Sequence, residues 1–332
     1  MHAPGRKGQR GLTIVELMIA LLLGLFVIGG VIFVFAGSKR SYTETEQQAR
    51  ISENGRFAVQ LLEGELRLAG FFGEATAATI DPDANLGSVS SDCSSPAQAY
   101  DVDNFLAVLR ANSSGVAAGC ITDAVPASDV IVVKSVRPFP LSDGVRDTSS
   151  DDDGTIDSPS ALSGQLTYVM SNPLKGVLFD GADTAPSITD GGTVPAGTAW
   201  EYRFQIFYAR AGSPPQLARK TLAWGGSGMS VTTENLVEGL EQLRVRIGID
   251  SNDDGEADRF VTADTSGIDW STVSALELNL LMRGIDIDVA YTDTRTYDLA
   301  GLSVAPGGKY RRVLVNKSMS LRNAALTIRG RL

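Results

Sequence analysis

The chain has 332 residues, with 29 basic against 39 acidic side chains and a formal charge of −10. That balance leaves no basic footprint for nucleic acid or for an anionic membrane surface, while the length allows a sizeable core in one large or two small domains. The single histidine is His2, so the rest of the chain works without Ser-His-Asp, Cys-His or histidine-zinc chemistry, and no enzyme is expected.

From Leu12 to Ala36 the sequence runs 25 residues with one charge, Glu16. As a helix this stretch measures roughly 37 Å, enough to cross a hydrocarbon core of about 30 Å with some tilt. Arg6, Lys7 and Arg10 precede it, which places the amino end in the cytoplasm and everything after Ser38 on the far side. A secretory signal has a shorter apolar run and a small-residue cleavage site after it. Here the small residue, Gly11, comes before the run. The basic leader, Gly11, Leu12, Thr13 and Glu16 together resemble a prepilin (class III) leader. That resemblance implies a membrane peptidase that cuts after Gly11 and methylates the new amine of Leu12, which stands where phenylalanine is more usual. A carboxylate near the end of a membrane helix costs about 2–3 kcal/mol unless it finds a partner. Cleavage would supply one: an α-amine about one turn from Glu16, on the same subunit or a neighbour. Loss of the leader's three basic residues would take the charge from −10 to −13.

The helix is expected to continue beyond the membrane. Phe57, Ala58, Leu61, Leu62, Leu66 and Ala69 recur at three- and four-residue spacing, an apolar stripe for packing a head. No proline interrupts Leu12 to Ala69, although Gly37, Gly55 and Gly64 each cost about 1 kcal/mol relative to alanine. This divides the chain into a leader (1–11), a membrane helix (12–36), an amphipathic helix (37–70) and a globular head (71–332).

After Leu66–Gly73 come about 55 residues rich in Ser, Ala, Asp and Gly, read as mostly loop. Strands are expected at Val130–Val136, Leu166–Met170, Val177–Phe179, Tyr202–Tyr208, Leu217–Trp224, Leu243–Ile249, Val273–Met282 and Arg311–Leu321, from β-branched runs or period-two alternation between turn residues. Asp147–Ser160 and Gly181–Gly197 read as exposed loops. The fold class is therefore α+β, a long N-terminal helix on an antiparallel β-rich head. Cys93 and Cys120 lie on the outer side, where disulfides persist. Paired, they would close a loop worth roughly 3–4 kcal/mol; two buried free thiols are the alternative.

The sharpest local signal in the head is Asp250–Asp258. Asp250, Asn252 and Asp254 occupy the first, third and fifth positions of an EF-hand-like loop, Gly255 the sixth and Asp258 the ninth. Oxygen donors of this kind suit Ca2+, with an acidic surface turn as the alternative. Val261 departs from the pattern at the twelfth position, where an EF-hand has glutamate. A second acidic run, Asp151–Asp157, reads as a solvated loop.

Arg67–Gly73, Leu236–Asp250, Leu278–Gly284 and Arg311–Asn323 are similar to stretches of the PilW family of type IV pilus minor pilins. The resemblance implies a pilin-like fold and a low-abundance subunit that helps initiate the pilus with other minor pilins and the major pilin. It also implies a prepilin peptidase as processing partner and a place at the tip beneath an adhesin. The expected location is the inner membrane of a Gram-negative envelope, with a periplasmic head, and then the extracellular pilus. Two alternatives stay open: a minor pseudopilin of a type II secretion system, and a membrane-anchored ligand-binding module.

Overall fold

The structure, a computed structural model, describes Gly11, residues 13–141 and residues 162–321. The basic leader, Leu12, the second acidic run at Asp151–Asp157, and Arg322 and Asn323 lie outside the described residues. A single helix, α1, covers Ile14–Leu66, 53 residues. The chain divides into two compact units, Met1–Ala49 and a second beginning at Arg50. The second unit takes in the C-terminal part of α1, residues 50–66. In the first unit the large apolar side chains face outward; Ile14, Leu25 and Phe33 are 80, 76 and 81% exposed.

Within the second unit α1 buries Ile51, Gly55, Ala58, Val59, Leu62 and Leu66, the three- and four-residue rhythm of one helix face. Four of the six residues expected on the stripe, Ala58, Leu62, Leu66 and Ala69, are buried, and two depart. Phe57 is 54% exposed and Leu61 only partly buried. Gly55 faces the sheet instead, because a Cβ there would stand 2.8 Å from the Val315 Cγ2. A close approach of backbone, rather than the largest side chain, sets the face. The helix also stops at Leu66 rather than Ala69. Gly70, at φ +75°, turns the chain and donates its N–H to the Lys134 carbonyl at 3.1 Å.

The first sheet contains β1 (Ile80–Pro82), β2 (Leu106–Arg110), β3 (Asp129–Val136), β4 (Thr167–Ser171), β5 (Gly176–Asp180), β6 (Thr198–Arg210), β7 (Gln216–Trp224) and β8 (Met229–Glu238). Its order is β1-β5-β4-β6-β3-β2, with β7 on β6 and β8 on β7. Apart from the parallel pair β1–β5, neighbours run antiparallel. The second sheet takes β9 (Leu240–Ile249), β10 (Arg259–Thr262) and β11 (Val273–Arg283). After a small hairpin, β12 (Tyr297–Leu299) with β13 (Leu302–Val304), it adds β14 (Arg312–Ser320). The order is β10-β9-β11-β14, antiparallel throughout. The α+β, pilin-like class expected from the sequence holds.

Two junctions join the sheets. Gly239 alone separates β8 from β9; at φ +93° it donates to the Pro215 carbonyl and accepts from the Arg283 N–H, both at 2.7 Å. A Cβ there would meet the Arg283 oxygen at 2.5 Å, so glycine is required. The second junction is made by side chains. β9 pairs with β10 only from Arg246 onward, leaving the backbone of Leu243 and Val245 without a strand on that side. Ser128 Oγ, beside the start of β3, accepts from the Leu243 N–H and donates to its carbonyl, both at 3.1 Å. Asp129 Oδ2 accepts from the Val245 N–H at 2.8 Å. Two short polar side chains thereby stand in for a missing strand, satisfying backbone groups that burial would otherwise penalise.

Candidate functional site

The amino end of α1 is built around Thr13 and Glu16. Thr13 donates from its N–H (3.0 Å) and hydroxyl (2.9 Å) to Glu16 Oε2, and the Glu16 N–H donates to Thr13 Oγ1 at 3.2 Å. This is a reciprocal capping box, in which a Thr side chain and a Glu three residues later satisfy each other's otherwise orphaned N–H groups. The Thr-x-x-Glu spacing of this cap is present in the sequence, at the start of the apolar run. Gly11 is exposed just before the cap, and Leu12 lies outside the described residues.

In the head, Cys93 and Cys120 form a disulfide. The loop it closes is anchored from below by Lys134, fully buried on β3, whose ammonium donates to the Pro96 carbonyl at 3.0 Å and to that of Asp101. Burial pushes the Lys134 pKa down to about 8, against the pull of Asp101, Asp92 and Asp103. Tyr202 donates its hydroxyl to Ala99 at 2.6 Å, and Asp92 accepts from the N–H groups of Cys93 and Ala99. Helix and sheet meet where Glu65 accepts from Arg203 and Gln205 on β6, both at 2.9 Å.

A second polar core fixes the connection from β11 to β14. The Asp293 carboxylate, with no exposed side-chain surface, accepts from Arg312 (3.0 Å), Tyr297 (2.9 Å), Tyr291 and Arg295 (3.1 Å each). Burial raises its pKa, but the hydrogen bonds from Arg295, Tyr297 and Arg312 outweigh burial and hold it well below the carboxylate range. Arg312 also forks onto Glu241, while Arg283 stacks 4.0 Å over the Tyr310 ring and Arg311 stacks 4.4 Å over Tyr291. The bonds of Arg312 to Glu241 and Asp293, and the stacking of Arg283 on Tyr310 and of Arg311 on Tyr291, join distant residues and have no local signature in the sequence.

The acidic loop joins β9 to β10 as a hairpin, with no helix on either side. Asp250, Asn252, Asp254 and Asp258 do share it, but their oxygens are engaged within it. Asp250 accepts from the Asp253 and Gly255 N–H groups at 2.7 Å, Asn252 from Asp254, Asp254 from Glu256, and Asp258 from the Ser251 N–H and hydroxyl. Val261, at the twelfth position, pairs with Ile247 in the ladder. Among the described residues no three or more His, Cys, Asp or Glu side chains are grouped as a metal site.

Comparison with known proteins accounts for both ends of this arrangement. The prokaryotic N-terminal methylation motif matches residues 6–32, spanning Gly11, Glu16 and most of the exposed apolar helix. The helix and motif define the class: a pilin-like protein related to type IV pili, anchored in a bacterial envelope by its amino-terminal helix. The head narrows this further. The family model described as Type IV Pilus-assembly protein W matches residues 204–323, from within β6 past the end of β14, and bears out the resemblance to a PilW pilin with a prepilin leader. No curated protein and no solved structure matches the chain. Both matches point to a structural pilus component rather than an enzyme. The gap between them holds the disulfide, Lys134 and the junction at Ser128–Asp129.

Proposed function

We propose that this protein is a minor pilin, stored in the inner membrane with a periplasmic head, cut after Gly11 by a prepilin peptidase, and then withdrawn into a pilus. It joins other minor pilins and the major pilin in an initiating complex at the tip, where an adhesin is a further partner. The observation that carries this reading is the combination in one chain of a methylation motif at 6–32, an apolar helix with its side chains exposed, and a PilW-type head. Lipid covers that helix before assembly, and the helices of other subunits cover it afterwards.

The test is the mature N-terminus together with the destination of the chain. A polypeptide beginning at N-methylated Leu12 and recovered with sheared surface filaments supports the proposal. A chain that keeps its leader and never leaves the membrane overturns it. Loss of twitching and surface piliation on deletion, with exoprotein secretion intact, distinguishes this reading from a secretion pseudopilin.

Calcium at Asp250, Asn252, Asp254 and Asp258 belongs to the same proposal and rests on donor spacing and on Gly255, whose φ of +92° makes the sharp turn. The ion would have to draw these oxygens away from the loop's own N–H groups. Its role would be to stiffen the β9–β10 hairpin, and the test is calcium-dependent melting.

A further inference from the structure

We propose that the open edge of β14 docks an extended segment of a neighbouring filament subunit, which joins the second sheet as one more strand; this inference rests on the pilin reading above. β14 pairs with β11, and among the described residues no strand lies on its other side. Its bonds show which groups face out. The Leu321 N–H donates to the Ser274 carbonyl, and the Arg311 carbonyl accepts from the Gly284 N–H, so odd-numbered residues turn their backbone toward β11. Arg312 turns its carbonyl the other way and accepts from Arg295. The backbone N–H and C=O groups of Asn316, Ser318 and Ser320 therefore point outward, and all three residues are exposed.

A groove of about 630 Å3 runs beside this edge, lined on one side by the consecutive residues Lys317–Ser320. Successive side chains of a strand point to opposite faces, so a cavity that touches all four lies along the edge rather than over one face. Its other wall is the end of α1 and the turn that follows: Glu63, Arg67, Leu68 and Phe71. Glu63 bonds to both Arg67 and Lys317, which leaves two cations against one carboxylate. The occupant that fits is an extended chain. Its backbone meets Asn316, Ser318 and Ser320, an apolar side chain meets Leu68, Phe71 and Met319, and a carboxylate lies beside Arg67 and Lys317.

Other edges of the head are short or covered, as edges that must not pair usually are. β1, β2 and β10 have three, five and four residues. Ser90 bonds across Met229 and Val231 on β8, and Asn54 reaches its Glu238 carbonyl. Ser128 and Asp129 fill the bare flank of β9. β14 has nine residues, and among the described residues nothing of this kind covers Asn316–Ser320.

The experiment places a photo-crosslinking amino acid at Ser320 of the full-length protein in cells, with exposed Leu174 as the control position. Crosslinked peptides from sheared filaments are then identified by mass spectrometry. Ser318→Pro removes an N–H that faces outward and that β11 does not use, a change an edge strand tolerates; Ser318→Ala keeps it. The expected result is a crosslink from Ser320 to one segment of another pilin subunit. Ser318→Pro should weaken it roughly fivefold, the scale of one backbone hydrogen bond, and Ser318→Ala should leave it intact. A second measurement stands apart from the variants: hydrogen exchange of residues 314–320 should slow about tenfold in filaments relative to the detergent-extracted subunit. Equal exchange rates, a crosslink that ignores Ser318→Pro, or a crosslink only to a second copy or to residues 322–332 of the same chain overturns the proposal. If wild type is uncut or missing from filaments, the pilin reading falls and this inference with it. If wild type is in filaments without the Ser320 crosslink, that reading stands and this inference alone falls.

Discussion

Two stretches of one helix meet different solvents. Between Ile14 and Ala36 the large apolar residues of α1 face outward; between Ile51 and Leu66 the same secondary structure buries one narrow face and exposes Phe57 on another. Among the described residues nothing buries the large apolar side chains of the first stretch, so it depends on whatever surrounds it. The second is part of a core, where Leu62 and Leu66 are fully buried. Helical propensity does not distinguish them; periodicity does. A helix apolar all round needs an apolar surround, and one apolar along a stripe needs a head.

The most direct way to break this comparison is to truncate both stretches in the full-length protein in detergent and follow head unfolding by denaturant. Leu62→Ala should cost about 3–5 kcal/mol through its cavity, while Leu22→Ala should leave the head unchanged. Equal effects would dissolve the distinction. Next in size is the disulfide: Cys93→Ser should lower stability by about 3–4 kcal/mol, close to the chain-entropy value for its 27-residue separation.

Lys134 sharpens the comparison, because only a residue inside the head should couple head stability to alkaline pH. Its pKa falls from 10.5 in the unfolded chain to about 8 when folded. Below that window both states are protonated and the cost of burying the charge is fully present. Through it, the unfolded chain holds a proton the folded one has released, so stability rises with pH, by up to about 3 kcal/mol. Burial raises the pKa values of Tyr202 and Tyr208 above 10.0, so their opposing effect begins only there. In a melting series from pH 7.5 to 10, wild type should gain stability and Lys134→Met should stay flat. Smaller still, saturating calcium should raise head stability by about 1 kcal/mol, an effect that Asp250→Asn should remove. Smallest is Phe57→Ala, expected within about 0.5 kcal/mol of wild type in denaturant, as for other exposed positions. A loss of several kcal/mol would mean that the outer face of α1 is part of the core after all.

The sequence disclosed what is local. The apolar run, the leader pattern around Gly11, and the β-branched runs of β3, β6, β9, β11 and β14 could be read because burial repeats at the period of their own backbone. β8 escaped because Thr232, Thr233, Glu234 and Asn235 are all exposed, which erases the alternation of a strand whose order comes from pairing with β7. The place of Gly55 on the buried face of α1 escaped because it buries backbone rather than a side chain. The disulfide followed from compartment. The pins that hold the head, at Lys134, Asp129 and Asp293 with Arg312, join residues far apart in the chain, and no short window reports them. The acidic loop showed its composition but not the internal hydrogen bonds that occupy its oxygens.

Ser128 and Asp129 carry one more consequence. A bare stretch of strand invites another molecule to dock backbone to backbone. By stoppering the open flank of β9 with a hydroxyl and a carboxylate, the head closes a route to edge-to-edge stacking at that place.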